Sequence, residues 1–215
     1  MPQSLTLHTD DDVDLAADWY PVPDARRFAI LLHMRPGKKE DWPAWAAALN
    51  AKGVACLAID QRGSGRSTQG GLLDVRRFTD EDDRKRLLDA KAAFEELRDG
   101  QGATEASTIL VGGSIGANVA IRFAADHPGI PLVIALSPGL DYHGVTTVDA
   151  IARLAPLQRV VVVTSDDDPE SADGCRALQA AAPERTVLIE KHGLGHAERM
   201  AEKDPALIGE LLSYV

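Results

Sequence analysis

The chain is poor in aromatics and almost free of cysteine. Phe, Trp and Tyr together make up 5% of 215 residues, with two cysteines and three methionines. Cys56 stands in a strand-like run and Cys175 in a helix-like one. Neither belongs to a metal or redox motif, so both read as buried or incidental thiols of a reducing compartment. Positive charge is also scarce. Lys and Arg number 23 against 33 Asp and Glu, giving a formal net charge of −10 and a pI near 5.0. That balance argues against nucleic acid and anionic membrane as partners, because both surfaces are negative. No apolar run has the character of a membrane span; the longest, around 107–125, is broken by glycines and Arg122. The segment Met1 to His8 lacks a basic start followed by an apolar core, so no signal peptide is expected and the cytoplasm is the expected location. There is no repeat and no low-complexity linker. What is present is 45% apolar residues, enough for a sizeable core in one domain spanning 1–215.

Hydrophobic patterning divides the chain into strands and helices. Ser4 to His8 and Val13 to Tyr20 alternate as a hairpin would, joined by the acidic turn Asp10 to Asp12, which reads as a solvated loop. Continuous apolar runs at Phe28 to His33, Val54 to Ile59, Ile109 to Val111, Leu132 to Leu136, Val160 to Val163 and Thr186 to Glu190 suit strands buried on both faces. Between them, helical patterns are expected at Asp41 to Ala51, from a Thr79 cap to a stop at Gly100, at Ala117 to Ala125, at Ser171 to Ala182 and at Leu207 to Tyr214. Residues 68–78 read as irregular, and 140–157 as holding only a short helix. Strands alternating with helices predict an α/β fold: a mostly parallel sheet of about eight strands with helices on both faces.

The organising stretch is Ser107 to Ala125. A short strand runs into Gly112-Gly113-Ser114-Ile115-Gly116 and then into a helix. This fits the G-x-S-x-G pattern of a nucleophile elbow, in which the serine occupies a strained turn and its neighbours stay small because the helix doubles back on the strand. The new helix points its amino terminus at the serine, which favours negative charge developing there. A phosphate loop would need a following Gly-Lys-Ser/Thr, which is absent. Ser114 and Ala117 stand where a dinucleotide fingerprint needs its second and third glycines.

A serine hydroxyl needs a base, and the base needs a carboxylate to orient it. After Ser114 the chain offers acids after one strand and histidines after the last, the order Ser, Asp, His. His196, in Gly193-Leu194-Gly195-His196, is preferred over His192, which follows its strand directly and reads as structural. His8, His127 and His143 read as surface residues, His127 at a helix end. Asp166, Asp167 and Asp168 are adjacent; Asp168 is preferred as the acid, with Asp167 second and the others solvated or capping the next helix. One oxyanion N–H is expected from Ile115 and the other from Met34 or Arg35, since Pro36 has no N–H. His33 reads as an organiser of that loop. All these residues fall beyond the carboxyl ends of strands, where open α/β sheets bind ligands.

These residues resemble the α/β-hydrolase superfamily, and within it the small lid-less carboxylesterase-like members. The resemblance runs from about Phe28 to the end. It rests on Leu31-Leu32-His33, the Asp60 to Ser67 loop, the elbow at Ser114, the acidic loop to Asp168, and Gly195-His196. The loop is similar to the family's Asp-x-Arg-Gly-x-Gly-x-Ser segment, structural in relatives. Two positions depart. Met34 stands where relatives usually carry glycine, which bears on the second oxyanion donor and on the acyl pocket. Ser165 stands where glycine is frequent, which bears on the register selecting Asp168. Relatives often insert a helical cap after the strand ending near Leu136, and here too few residues intervene. The resemblance implies an open site lined by Met34, Ile115, Leu140, Tyr142 and Leu194, and a serine hydrolase of short or exposed carboxylic esters. It implies no metal or organic cofactor, and the protein is expected as a monomer or small homo-oligomer. Thioester, lactone or peptide hydrolysis on the same residues stays open, as does a hydrolase-like protein that only binds a small ligand.

Overall fold

A computed structural model describes residues 2–215. The strands are β1 (Gln3–His8), β2 (Asp14–Tyr20), β3 (Arg27–Leu32), β4 (Val54–Ile59), β5 (Thr108–Gly113), β6 (Leu132–Leu136), β7 (Asp141–Tyr142), β8 (Val145–Thr146), β9 (Arg159–Ser165) and β10 (Thr186–Lys191). The helices are α1 (Pro43–Ala51), α2 (Asp80–Arg84), α3 (Arg86–Gln101), α4 (Ile115–Asp126), α5 (Val148–Ala152), α6 (Pro169–Ala181), α7 (Met200–Lys203) and α8 (Ala206–Leu211). Eight strands form one sheet in the order β1-β2-β4-β3-β5-β6-β9-β10. The first two pairings, β1 with β2 and β2 with β4, are antiparallel, and the rest are parallel.

The apolar runs form central strands because both of their faces are covered. Phe28, Ile30 and Leu32 of β3 enter one hydrophobic cluster, while Ala29 and Leu31 enter the other. Val160 and Val162 of β9 split from Val161 and Val163 in the same way. The first cluster is closed by α3 to α6, through residues such as Phe94, Phe123, Ile151 and Leu178. The second is closed by α1, α7 and α8, through Trp45, Met200 and Leu211. Each such aliphatic side chain, fully buried, contributes about 1.5–3 kcal/mol.

Parallel strands send their connections to a common edge. The loops after β3, β4, β5, β6, β9 and β10 therefore meet there, and hydrogen bonds tie them together. Asp60 accepts from the Lys39 N–H at 2.7 Å and the Arg66 N–H at 2.8 Å. Ser67 Oγ donates to Asp60 O at 2.6 Å and accepts from Ala16 N–H at 2.9 Å. The Asp60 to Ser67 segment thus has a structural role. Buried His33 accepts from Gln61 N–H through Nε2 and donates to Met34 O through Nδ1. Burial holds its pKa down at about 3, so it is neutral and organises the loop.

Three local expectations are corrected. Gly100 lies inside α3; the stop is Gly102, at φ 71°, where the Gly102 N–H bonds Arg98 O and the Ala103 N–H bonds Leu97 O. Buried Ala103 and Leu97 complete this αL-type end, which favours glycine at the left-handed position. The Thr79 cap is present, with its Asp82 partner, but the helix it opens is broken at Lys85. Segment 140–157 holds α5 and also the short β7–β8 hairpin. Among the described residues, no cap domain covers the edge there.

Candidate active site

Ser114 sits between β5 and α4 with φ 52° and ψ −121°. This conformation is strained for a side-chain-bearing residue, and the structure around it is built to hold it. Its N–H donates to Leu136 O at 2.8 Å. A Cβ on Gly112 would lie 2.3 Å from Gly116 O, and one on Gly116 would lie 2.2 Å from Leu32 O. The helix can leave the strand at this angle only because both positions lack a side chain.

The three acids after β9 take separate partners. Asp166 pairs with the exposed ring of His192 and accepts from Gly193 N–H at 2.9 Å. Asp167 accepts from Ser165 Oγ at 2.6 Å and from Gly195 N–H at 2.9 Å. These bonds hold both carboxyls below their ordinary pKa, the Gly193 N–H acting mainly on Asp166 and the Ser165 hydroxyl on Asp167. Asp168 immediately precedes α6 yet makes no capping bond with its side chain. Its Oδ2 lies 2.6 Å from His196 Nδ1 instead. Ser165, the departure from the family pattern, explains the sorting: its hydroxyl holds Asp167 and accepts from Leu194 N–H at 2.8 Å, fastening the two loops.

Ser114, Ile115, Asp168 and His196 line one cavity of about 390 Å³. Tyr142 lines it too, with its ring edge-on to His196 at 6.4 Å between centroids. Ser114 itself is 8% exposed. Among the described residues, no hydrogen bond joins the Ser114 hydroxyl to His196; such contacts tighten when substrate binds.

The structure places the expected oxyanion and lining residues in different surroundings. The Met34 N–H points inward and donates to Glu198 Oε1 at 2.9 Å, so it is not available to a ligand. Among the described residues, the backbone N–H groups of Arg35 and Ile115 have no partner, and both residues line the cavity. Of the expected substrate contacts, Tyr142 and Ile115 line the cavity. Met34 is buried, Leu140 is exposed outside it, and Leu194 packs against the second core cluster. The β7–β8 hairpin, absent from the sequence reading, is what carries Tyr142 into the site while Leu140 stays out.

Other lining residues had no sequence signal. The Arg35 side chain crosses the loop cluster to Asp83 and to Val75 O. Asp141, His143 and Glu170 add exposed charged or titratable groups to the cavity. Glu198, two residues after His196, is buried behind the elbow, and burial pushes its carboxyl up to about 7.

Comparisons agree with this architecture. The family described as serine aminopeptidase, S33, matches residues 30–187. No curated protein matches the chain by sequence. Among solved structures, an esterase of Pyrococcus furiosus superposes with TM-score 0.76 at 19% identity, covering 100% of this chain and 91% of its own. The ferulic-acid-bound Est1E of Butyrivibrio proteoclasticus gives 0.76 at 19%, covering 98% of each chain. The dienelactone hydrolase of Anabaena variabilis gives 0.78 at 14%, covering 99% and 94%. With most of its length inside that family and its sheet superposing on these folds, the chain belongs to the serine aminopeptidase S33 family of α/β hydrolases.

Proposed function

We propose that this chain, as a single domain, hydrolyses small carboxylic esters through an acyl-enzyme on Ser114, with His196 as base and Asp168 as its orienting acid. The observation that carries the reading is the 2.6 Å contact between His196 Nδ1 and Asp168, in a cavity shared with Ser114. A carboxylate on Nδ1–H leaves Nε2 unprotonated and able to accept the serine proton. Ser114 Oγ then attacks the ester carbonyl. The developing oxyanion receives the N–H groups of Ile115 and Arg35. Collapse breaks the bond to the alcohol, which leaves with the proton held by His196. Water, deprotonated by His196, attacks the acyl group and frees the acid and Ser114.

A cavity of about 390 Å³ is at the small end for ligand sites and suits short acyl groups. The esterase and dienelactone hydrolase that superpose on this chain support an ester or lactone carbonyl as the substrate group. Cys56 and Cys175 are buried free thiols, pushed up to about 12 by burial, which fits a reducing compartment such as the cytoplasm.

A second reading, aminopeptidase-type cleavage, is favoured by Asp141 and Glu170. Both carboxylates line the cavity and are suited to holding a substrate ammonium group. The two readings separate in one experiment. Fluorophosphonate labelling and hydrolysis of p-nitrophenyl esters of increasing chain length are compared with hydrolysis of aminoacyl p-nitroanilides. Labelling lost in Ser114→Ala, with fastest turnover on short-chain esters, supports the esterase. Turnover of anilides alone supports the peptidase. Ligand binding with neither labelling nor turnover overturns both.

A further inference from the structure

Glu198 is a buried ionisable group, packed against the site, that the proposed hydrolysis leaves unexplained. It is 4% exposed. Its Oε1 accepts from Met34 N–H at 2.9 Å, while its Oε2 is buried with no partner among the described residues. A Cβ added to Gly113 would lie 1.8 Å from that Oε2. Glu198 therefore touches two parts of the site from behind: the loop after β3 and the strand end one residue before Ser114. It is tethered to the third, because Ala197 N–H donates to Ser137 Oγ at 2.9 Å and His196 is two residues upstream.

We propose that Glu198 is a positioning residue for the ester hydrolysis, acting in its protonated form. Its carboxyl wedges the Met34 loop against the elbow, so that Arg35 presents its N–H to the oxyanion. The proposal rests on the esterase reading above. The Met34 N–H is used to bind Glu198, and the next residue along, Arg35, lines the cavity.

The charge state follows from the surroundings. The Met34 N–H is the one hydrogen bond from a neighbouring loop that favours the carboxylate, and it is outweighed by burial. On the 39–41 turn, Asp41 disfavours ionisation, and on its own turn Arg199 favours it. From the loop after β3, His33 is neutral and Arg35 is turned to Asp83. His196, on the same segment, is paired with Asp168. No cation neutralises Glu198 directly among the described residues. An ionised Glu198 would place negative charge behind the turn where the oxyanion forms, and would oppose it.

The test is the pH dependence of kcat and KM for p-nitrophenyl acetate in the full chain and in Glu198→Gln and Glu198→Ala. In the unaltered chain, kcat should fall about five-fold or more between pH 6.5 and pH 9. Glu198→Gln keeps the shape and the acceptor oxygen but cannot ionise. It should match the unaltered kcat near pH 6.5 and lose the alkaline fall. Glu198→Ala should lower kcat about ten-fold with KM changed less than about two-fold. An alkaline limb retained in Glu198→Gln, or absent from the unaltered chain, overturns the proposal and leaves the esterase reading standing. A chain that neither labels with fluorophosphonate nor hydrolyses esters overturns both. The profile of the unaltered chain decides even where Glu198→Ala fails to fold.

Discussion

His196 Nδ1 lies 2.6 Å from Asp168 Oδ2 across 28 residues of chain, while Asp166 and Asp167, two residues and one residue away, bond elsewhere. A difference in function between adjacent aspartates follows. Asp168→Asn should lower kcat for p-nitrophenyl acetate by about 10³–10⁴-fold, because the amide leaves His196 in the wrong tautomer. Asp167→Asn should change kcat less than about three-fold and act on the loop it braces. Steady-state kinetics of both variants check this; equal losses would remove Asp168 from the proposed role.

The turn holding Ser114 tolerates no side chain at Gly112 or Gly116. Alanine at either brings a Cβ within 2.3 Å of backbone atoms that cannot move without shifting α4 or β3. Each substitution should cost about 3 kcal/mol or more, seen as a lower urea midpoint. Alanine at Gly113 meets a side chain instead, Glu198 Oε2 at 1.8 Å. Its cost should fall by about 1–3 kcal/mol when Glu198 is also shortened to alanine, a coupling measurable in a double-mutant cycle.

Glu198 should make the fold sensitive to base. Its carboxyl is raised from 4.5 to about 7, so the folded chain binds a proton that the unfolded chain has released. Its contribution is therefore intact below about pH 4.5 and is lost as pH rises through about 7, by up to about 3 kcal/mol. Urea midpoints of Glu198→Gln relative to the unaltered chain should rise between pH 5 and pH 8.

His33 acts in the opposite direction. Burial lowers it to about 3, so below about pH 6.5 the unfolded chain binds a proton that the folded chain refuses. Stability rises with pH through this window and is lost as pH falls toward 3, with a slope approaching about 1.4 kcal/mol per pH unit. His33→Gln should lower stability at pH 7, where Gln61 and Met34 lose their partner, and should flatten that acid slope. Denaturant titrations from pH 4 to 7 measure both.

Asp141 and Glu170 should set a charge preference. Both line the cavity as exposed carboxylates, so a substrate bearing its own carboxylate meets repulsion. The double variant Asp141→Asn, Glu170→Gln should raise kcat/KM for a monosuccinate ester about three-fold or more, leave a neutral ester nearly unchanged, and lose most of this difference in 1 M salt.

The sheet was legible because each central strand is buried on both faces and so must be apolar throughout, as Val160 to Val163 shows. The elbow was legible because steric crowding between Gly112 and Gly116 leaves few sequences able to make that turn. The Thr79 to Asp82 cap was legible because its partners lie within one helical turn. These are local constraints, set by neighbours along the chain, and the sequence by itself determined them. Which aspartate meets His196, which N–H remains free beside Ser114, and what lies behind Gly113 are properties of loops arriving from different strands. Met34 and Glu198 are 164 residues apart, and nothing near either one in sequence encodes their contact. The two-residue strands β7 and β8 were also invisible, since such short pairs have no periodicity to read. Only the tertiary structure decided these points, because each depends on contacts between segments that lie far apart along the chain.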